Sequence, residues 1–179
     1  IQEILTLSAE LGAMSWDELP GIDVKQVNMD YVKWFFKTME RVRGKVVPEN
    51  MWMKYLRSVR AVKRGKLTNA GILFFTDSTE FIAHSRCRLI FLNEGADGSK
   101  EYEGPVWKMI DDVFTDISRE VRRVEVLVRA RRVRVEEYPL RAIREAIVNA
   151  FAHRNYAIPS DIRIFIHPDL SLIHISEPT

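Results

Sequence analysis

Apolar side chains recur along this chain at spacings that sort it into helices and strands. Val106, Ile110, Val113, Phe114, Ile117 and Val121 form a continuous stripe at helical spacing and predict a helix over 105–123. Val24, Val27, Tyr31, Trp34, Phe35 and Met39 predict another over 24–43. Pro48 can open a third at 48–60, because its missing N–H is no loss in a first turn; Trp52, Tyr55, Leu56 and Val59 share one side of it. Alternation marks the strands. RCRLIFLN at 86–93 and DIRIFIHP at 161–168 alternate and are rich in residues that favour extended backbone. VEVLVRARRVRVEE at 124–137 sets Val against Arg or Glu, which suits a half-buried strand or hairpin with its arginines outward.

Between these elements the pattern is weaker. Residues 1–12 read as the end of a helix stopped by Gly12. SWDELPG at 15–21 reads as a loop with Pro20-Gly21 as a turn signal, KRGK at 63–66 as a hinge, and EGADGSKEYEGP at 94–105 as a loop. LTNAGILFF at 67–75 fits either a strand, from its apolar run, or a short buried helix capped by Thr68, and the helix is the expectation.

Pro139 stands at a first helical position and opens a helix predicted to run to about Tyr156. Leu140, Ile143, Ile147, Val148 and Phe151 fall on one side of it. The other side carries Glu145, Asn149 and His153 at steps of four, flanked by Ala142, Ala146 and Ala152. A solvated face usually holds Lys, Glu and Arg in i,i+4 pairs. Small residues around a carboxylate and an amide instead leave room for a ligand. Mid-helix asparagine also costs about 0.6 kcal/mol relative to alanine. An asparagine oxygen is a hard, neutral ligand for Mg²⁺. A glutamate one turn earlier can orient and deprotonate a water that attacks a phosphoryl group. His153 and Arg154 can meet phosphate or ribose. The same triple also fits a plain polar face, and spacing does not decide between the two. With strands before and after, the order predicts an α/β sandwich around this helix and an α+β fold for the chain.

Composition adds bounds. The 179 residues are 46% hydrophobic and 29% charged, ordinary values for one globular domain or two small ones. A single cysteine, Cys87, excludes an internal disulfide and fits a reducing cytoplasm. No apolar run approaches the roughly 20 residues that span a bilayer, so a membrane partner is not expected. The net charge of +2 hides an asymmetry. Residues 1–40 hold seven acidic residues and three lysines, whereas 119–144 hold nine arginines and four glutamates. Such a basic stretch suits nucleic acid, nucleotide phosphate or a solvated surface.

YPLRAIREAIVNAFAHRNY at 138–156 closely resembles the Tyr-Pro, Arg-Glu-Ala, Asn-Ala, His-Arg-Asp-Tyr pattern of a prokaryotic family. KLTNAGILFF at 66–75 matches a second signature of that family, and SWDELP with PENMWMKYLRSV matches the region between its domains. The family pairs an N-terminal Schlafen/AlbA-type DNA-binding domain with an ATP-binding domain of the gyrase/histidine-kinase/MutL (GHKL) superfamily. Its members are labelled ATP-binding proteins, transcriptional regulators or RecG-related helicases. The resemblance covers most of residues 15–168. It implies that 1–14 are the tail of the Schlafen/AlbA-type domain, 15–65 a helical linker region, 66–137 an α/β inter-domain region, and 138–169 the start of the GHKL-type domain. It further implies that Glu145 is the general base where ATP is hydrolysed, that Asn149 ligates Mg²⁺, and that His153 and Arg154 lie beside the nucleotide. ATP and Mg²⁺ are then the expected cofactors, and DNA is the expected partner of the N-terminal domain. Self-association is compatible with this reading. Asn155 stands where the family usually has aspartate, losing a charge but keeping an acceptor.

Residues 170–179, LSLIHISEPT, match a translation of a transposase mosaic-end sequencing adapter and the bases that follow it. They are expected to be foreign to the protein, although SLIHIS is β-compatible, and His174 is not counted as a ligand. Two functions stand side by side. One is a nucleotide-binding fragment of a DNA-associated regulator. The other is a non-enzymatic helical, winged-helix-like module that contacts DNA or protein through the two helices preceding LTNAG.

Overall fold

Helix α1 (Met29–Arg43) starts where Asn28 can cap it, its Oδ1 accepting from the Asp30 N–H at 3.0 Å. The computed structural model describes residues 16–77, 87–93, 96–121, 123–128, 131–136, 138–156, 158, 160–166 and 173–176. For 91–93, 96–97, 123–128, 131–136 and 173–176 the backbone alone is described. The fold is α+β, and the chain divides into two compact units, residues 1–84 and 85–179. Residues 66–75 thus pack with the helices before them, and 138–166 belong with the strands of 87–102. The expected helix at 1–12 lies outside the described residues.

In the first unit, α1 is shorter than the 24–43 periodicity predicts. Val24–Gln26 form a separate 3-10 turn, because the Asn28 side chain offers the backbone a local partner that restarts the helix. The buried stripe is Val32, Phe36 and Met39, with Tyr31, Trp34 and Phe35 half-buried beside it. Gly44, at φ 64°, ends the helix and donates its N–H to Glu40 O at 2.8 Å. A 3-10 turn at Glu49–Met51 leads into α2 (Trp52–Ser58), which buries Trp52 and Leu56. Val59 falls past the helix end and is exposed. Trp52 stacks on Phe36 with ring centroids 5.1 Å apart, and Phe35 meets Phe75 edge-on at 5.5 Å.

Three short strands, β1 (Pro20–Asp23), β2 (Val62–Lys63) and β3 (Lys66–Thr68), form an antiparallel sheet in the order β1-β3-β2. Pro20-Gly21 is therefore in a strand, not a turn. A proline is tolerated there because it is the first residue of an edge strand. KRGK is a tight two-residue hairpin corner, not a hinge: Arg64 and Gly65 both take left-handed backbone, at φ 50° and 77°.

LTNAGILFF resolves as β3 followed by α3 (Asn69–Phe75). Thr68 decides the switch. It is fully buried, its Oγ1 accepts the Gly71 N–H at 3.2 Å, and the same hydroxyl donates to Arg60 O at 2.8 Å. Asn69 Nδ2 donates to Trp16 O at 2.9 Å, which ties the incoming chain to the helix start. Thr68→Val keeps the shape and removes the hydroxyl. It is expected to destabilise this unit by about 1–3 kcal/mol, the range for a lost cap and a buried group left unpaired. Urea unfolding followed by tryptophan fluorescence measures this, since Trp16, Trp34 and Trp52 all lie in this unit.

The second unit is built on a mixed sheet, β5-β4-β8-β9, of β4 (Cys87–Asn93), β5 (Ala96–Tyr102), β8 (Ile162–Ile166) and β9 (Ile173–Ser176). β4 runs parallel to β8 and antiparallel to β5. The expected loop at 94–105 thus contains a strand. ADGSKEY has little β-propensity of its own, and pairing along the edge of β4 overrides that. Between these strands come α4 (Val106–Glu120), the two-stranded hairpin β6 (Arg123–Val128) and β7 (Arg131–Glu136), and α5 (Leu140–His153). β8 pairs with β4 and β9, not with the 124–137 segment, so the sheet beside the motif helix is not the one the chain order suggests. The outward arginines expected on that hairpin lie outside the described side chains. Leu89, Met109, Val113, Ile117, Ile147, Phe151 and Ile164 make the core, each no more than 2% exposed. Within the tail expected to be foreign, β9 pairs antiparallel with β8.

Candidate functional site

Helix α5 is held by one face and presents the other. Ile143, Ile147 and Phe151 are buried, and Pro139 precedes the first turn. Val148, expected on the buried side, sits at its margin and is 39% exposed. The helix packs against α4, where Arg144 Nη2 donates to Asp111 Oδ1 at 2.7 Å and its guanidinium lies 5.1 Å over the Phe114 ring. It ends at His153, three residues short of the expected end. Tyr156 lies in the following turn, and its hydroxyl donates back to Phe151 O at 2.9 Å.

Glu145, Asn149 and His153 are exposed and follow one another along the outer face, as the spacing requires. Ala142 and Ala152 are exposed beside them, and Ala146 is half-buried. Among the described residues no side-chain hydrogen bond engages Glu145 or Asn149. The row thus offers two hard oxygen donors one turn apart, with Ala142, Ala146 and Ala152 beside them and the exposed Arg141 one turn before Glu145. That donor set suits Mg²⁺ held through one protein oxygen, water and phosphate. Among the described residues no group of three or more His, Cys, Asp or Glu could hold a metal, so an all-protein cage is not the alternative there.

Arg154 does not join this row. It is 9% exposed, its Nη2 donates to Ile158 O at 3.3 Å, and its guanidinium lies 5.2 Å over the Tyr156 ring. Burial lowers its hold on its proton. Among the described residues, its Nε and Nη1, and the Ser160 hydroxyl, are buried without a hydrogen-bond partner. The sequence reading grouped Arg154 with His153 because they are neighbours. The helix ends between them, and the next side chain turns into the core. That reading also missed the contact of Arg144 with α4; the Asp111 and Phe114 partners lie on another helix and leave no local signal.

Two other polar features are structural. A groove of about 460 Å³ beside β5 and α4 centres on Asp116. That carboxylate accepts from Lys100, from the Tyr102 hydroxyl at 2.7 Å and from Arg119 Nη1 at 3.1 Å. The Lys100 and Tyr102 hydrogen bonds hold it below the usual carboxylate range. Cys87 is fully buried, and burial pushes its thiol up to about 12. It is therefore no nucleophile at neutral pH. Disulfide-reagent labelling at pH 8 is expected to run at least about 100-fold slower in native than in denatured protein, because only opening of this unit exposes the thiol.

No family model and no curated protein matches this chain. The crystal structure of the DIP2311 protein from Corynebacterium diphtheriae is similar over 84% of the chain, with a TM-score of 0.60 and 18% sequence identity. The chain spans 31% of the length of that protein. At this identity the likeness concerns the fold alone. Among the described residues no helix is long and apolar enough to cross a membrane.

Proposed function

We propose that this chain is part of an ATP-binding, DNA-associated regulator or helicase-like protein, and that α5 lines its nucleotide site. The observation that supports this is the exposed row of Glu145, Asn149 and His153, flanked by alanines, on a helix pinned by its opposite face. In this reading Asn149 holds Mg²⁺ through Oδ1, and Mg²⁺ supplies charge for the nucleotide phosphates. Glu145 orients a water one turn away and takes its proton where hydrolysis occurs. His153 reaches phosphate or ribose from the last turn. Arg154 acts from beneath, as a buried support for the segment that follows the helix. The resemblance of 138–156 to the GHKL-type pattern points the same way. The test is Mg²⁺-dependent ATP binding by the full-length protein and its Asn149→Ala variant, and unchanged affinity overturns the reading.

A further inference from the structure

We propose that the first unit carries a phosphate-binding surface for duplex DNA, formed by the C-terminal half of α2 and the β2–β3 hairpin. Residues 54–66 hold Lys54, Arg57, Arg60, Lys63, Arg64 and Lys66 and no acidic residue. All but the half-buried Lys63 are exposed. The fold draws them together: Arg57, Arg60 and Lys63 line one concavity of about 340 Å³ with Glu18 and Val62. Among the carboxylates near these residues, Glu18 pairs with Arg60 and lies 3.9 Å from Lys63, and Asp23 stands across the sheet from Lys66. Glu18 positions its partners without covering them, because the Arg60 side chain remains 69% exposed.

The backbone gives a second, independent observation. Among the described residues, those with positive φ that are not glycine are Arg60, at 60°, and Arg64, at 50°. One closes α2 and the other turns the hairpin. Glycine or asparagine would occupy both positions with less strain. Arginine relieves none of that strain; what it brings to both positions is charge and reach. Charge complementarity selects a polyanion. The connectivity, a strand, two helices and a hairpin whose second strand pairs with the first strand, resembles that of winged-helix domains. A helix beside a two-stranded hairpin fits a B-form major groove, whereas the A-form major groove is too narrow to admit it. The surface lies in the first unit and does not depend on the nucleotide reading of α5.

The test is fluorescence anisotropy of the 179-residue chain on a labelled duplex of unbiased sequence, from about 50 to about 200 mM salt. Wild type is expected to bind at the lower salt and to weaken steeply as salt rises. Arg60→Gly combined with Arg64→Asn is expected to weaken binding at least about tenfold and to reduce the log–log salt slope by about 2, one for each phosphate that is no longer neutralised. The thermal midpoint should hold or rise, because both changes relieve left-handed backbone. If that variant does not fold, Lys54→Gln with Arg57→Gln, at exposed helix positions, reads the same slope. Absence of binding by wild type at about 50 mM salt overturns the proposal. So does an unchanged slope in folded variants, tighter binding to duplex RNA, or loss of binding only in Arg131→Gln/Arg132→Gln/Arg134→Gln, which would place the contact in the second unit.

Discussion

Gly71→Ala is expected to destabilise the first unit by about 1–3 kcal/mol, the range for overpacking a filled site. Helix propensity alone predicts the opposite sign, since alanine is favoured over glycine inside a helix by about 1 kcal/mol. Packing decides. A Cβ on Gly71 would lie well inside contact distance of the Ala61 carbonyl oxygen, and that is backbone, which has no rotamer to change. The carbonyl cannot move freely, because it also accepts the Thr68 N–H at 3.0 Å. Gly71→Val should cost more, because two further methyl groups meet the same wall. At this size each kcal/mol moves the thermal midpoint by about 4–8 °C. Tryptophan fluorescence melts of the two variants check the sign. A rise in midpoint for Gly71→Ala would mean that α3 does not seat against Ala61 as described. The glycine in LTNAG is thus an architectural residue, as are its leucine, threonine and asparagine. This signature encodes a joint between hairpin and helix.

In the full-length protein, Asn149→Ala is expected to weaken Mg²⁺-dependent ATP binding at least about 100-fold, or roughly 2.7 kcal/mol. Loss of one hard oxygen from a cation that demands near-ideal octahedral geometry accounts for an effect of that size. Glu145→Ala is expected to bind ATP within about threefold of wild type and to lose about 10²–10⁴ in any hydrolysis rate, because a general base acts in the chemical step and not in binding. Both residues are exposed, so thermal midpoints should move by little in either variant. Isothermal titration with and without Mg²⁺ separates the roles. Equal affinity of wild type and Asn149→Ala in Mg²⁺ would remove the metal-ligand assignment, and weakened binding without Mg²⁺ would make Asn149 a direct nucleotide contact.

The candidate row was legible because it depends on one local period. Once 140–153 is helical, Glu145, Asn149 and His153 must share a face, and Ile143, Ile147 and Phe151 must share the other. The same locality made α4 plain from its stripe and α3 from Thr68, whose cap is satisfied within three residues. Arg154 was not legible in this way. Its burial depends on where the helix stops and on what the chain past it packs against, and neither follows from the spacing of the motif.

Strands divide along the same line. The alternation at 87–93 and 162–166 determined that these segments are extended, since each needs one buried face. Which strand each one joins was decided only by the tertiary structure. β4 lies parallel to β8 across some seventy intervening residues. It also recruits ADGSKEY, a segment with no strand pattern, because an open edge of N–H and C=O groups rewards any chain that can pair with it. In the first unit, Pro20-Gly21 and Arg64-Gly65 carry similar turn signals, yet one became an edge strand and the other a hairpin corner. The sequence by itself determined where the longer helices lie, most of the faces they bury and the Thr68 cap, because these are satisfied within a few residues. Strand partners, the corner at Arg64 and the burial of Arg154 required the folded chain, because the groups that satisfy them are distant in sequence and nothing nearby encodes them.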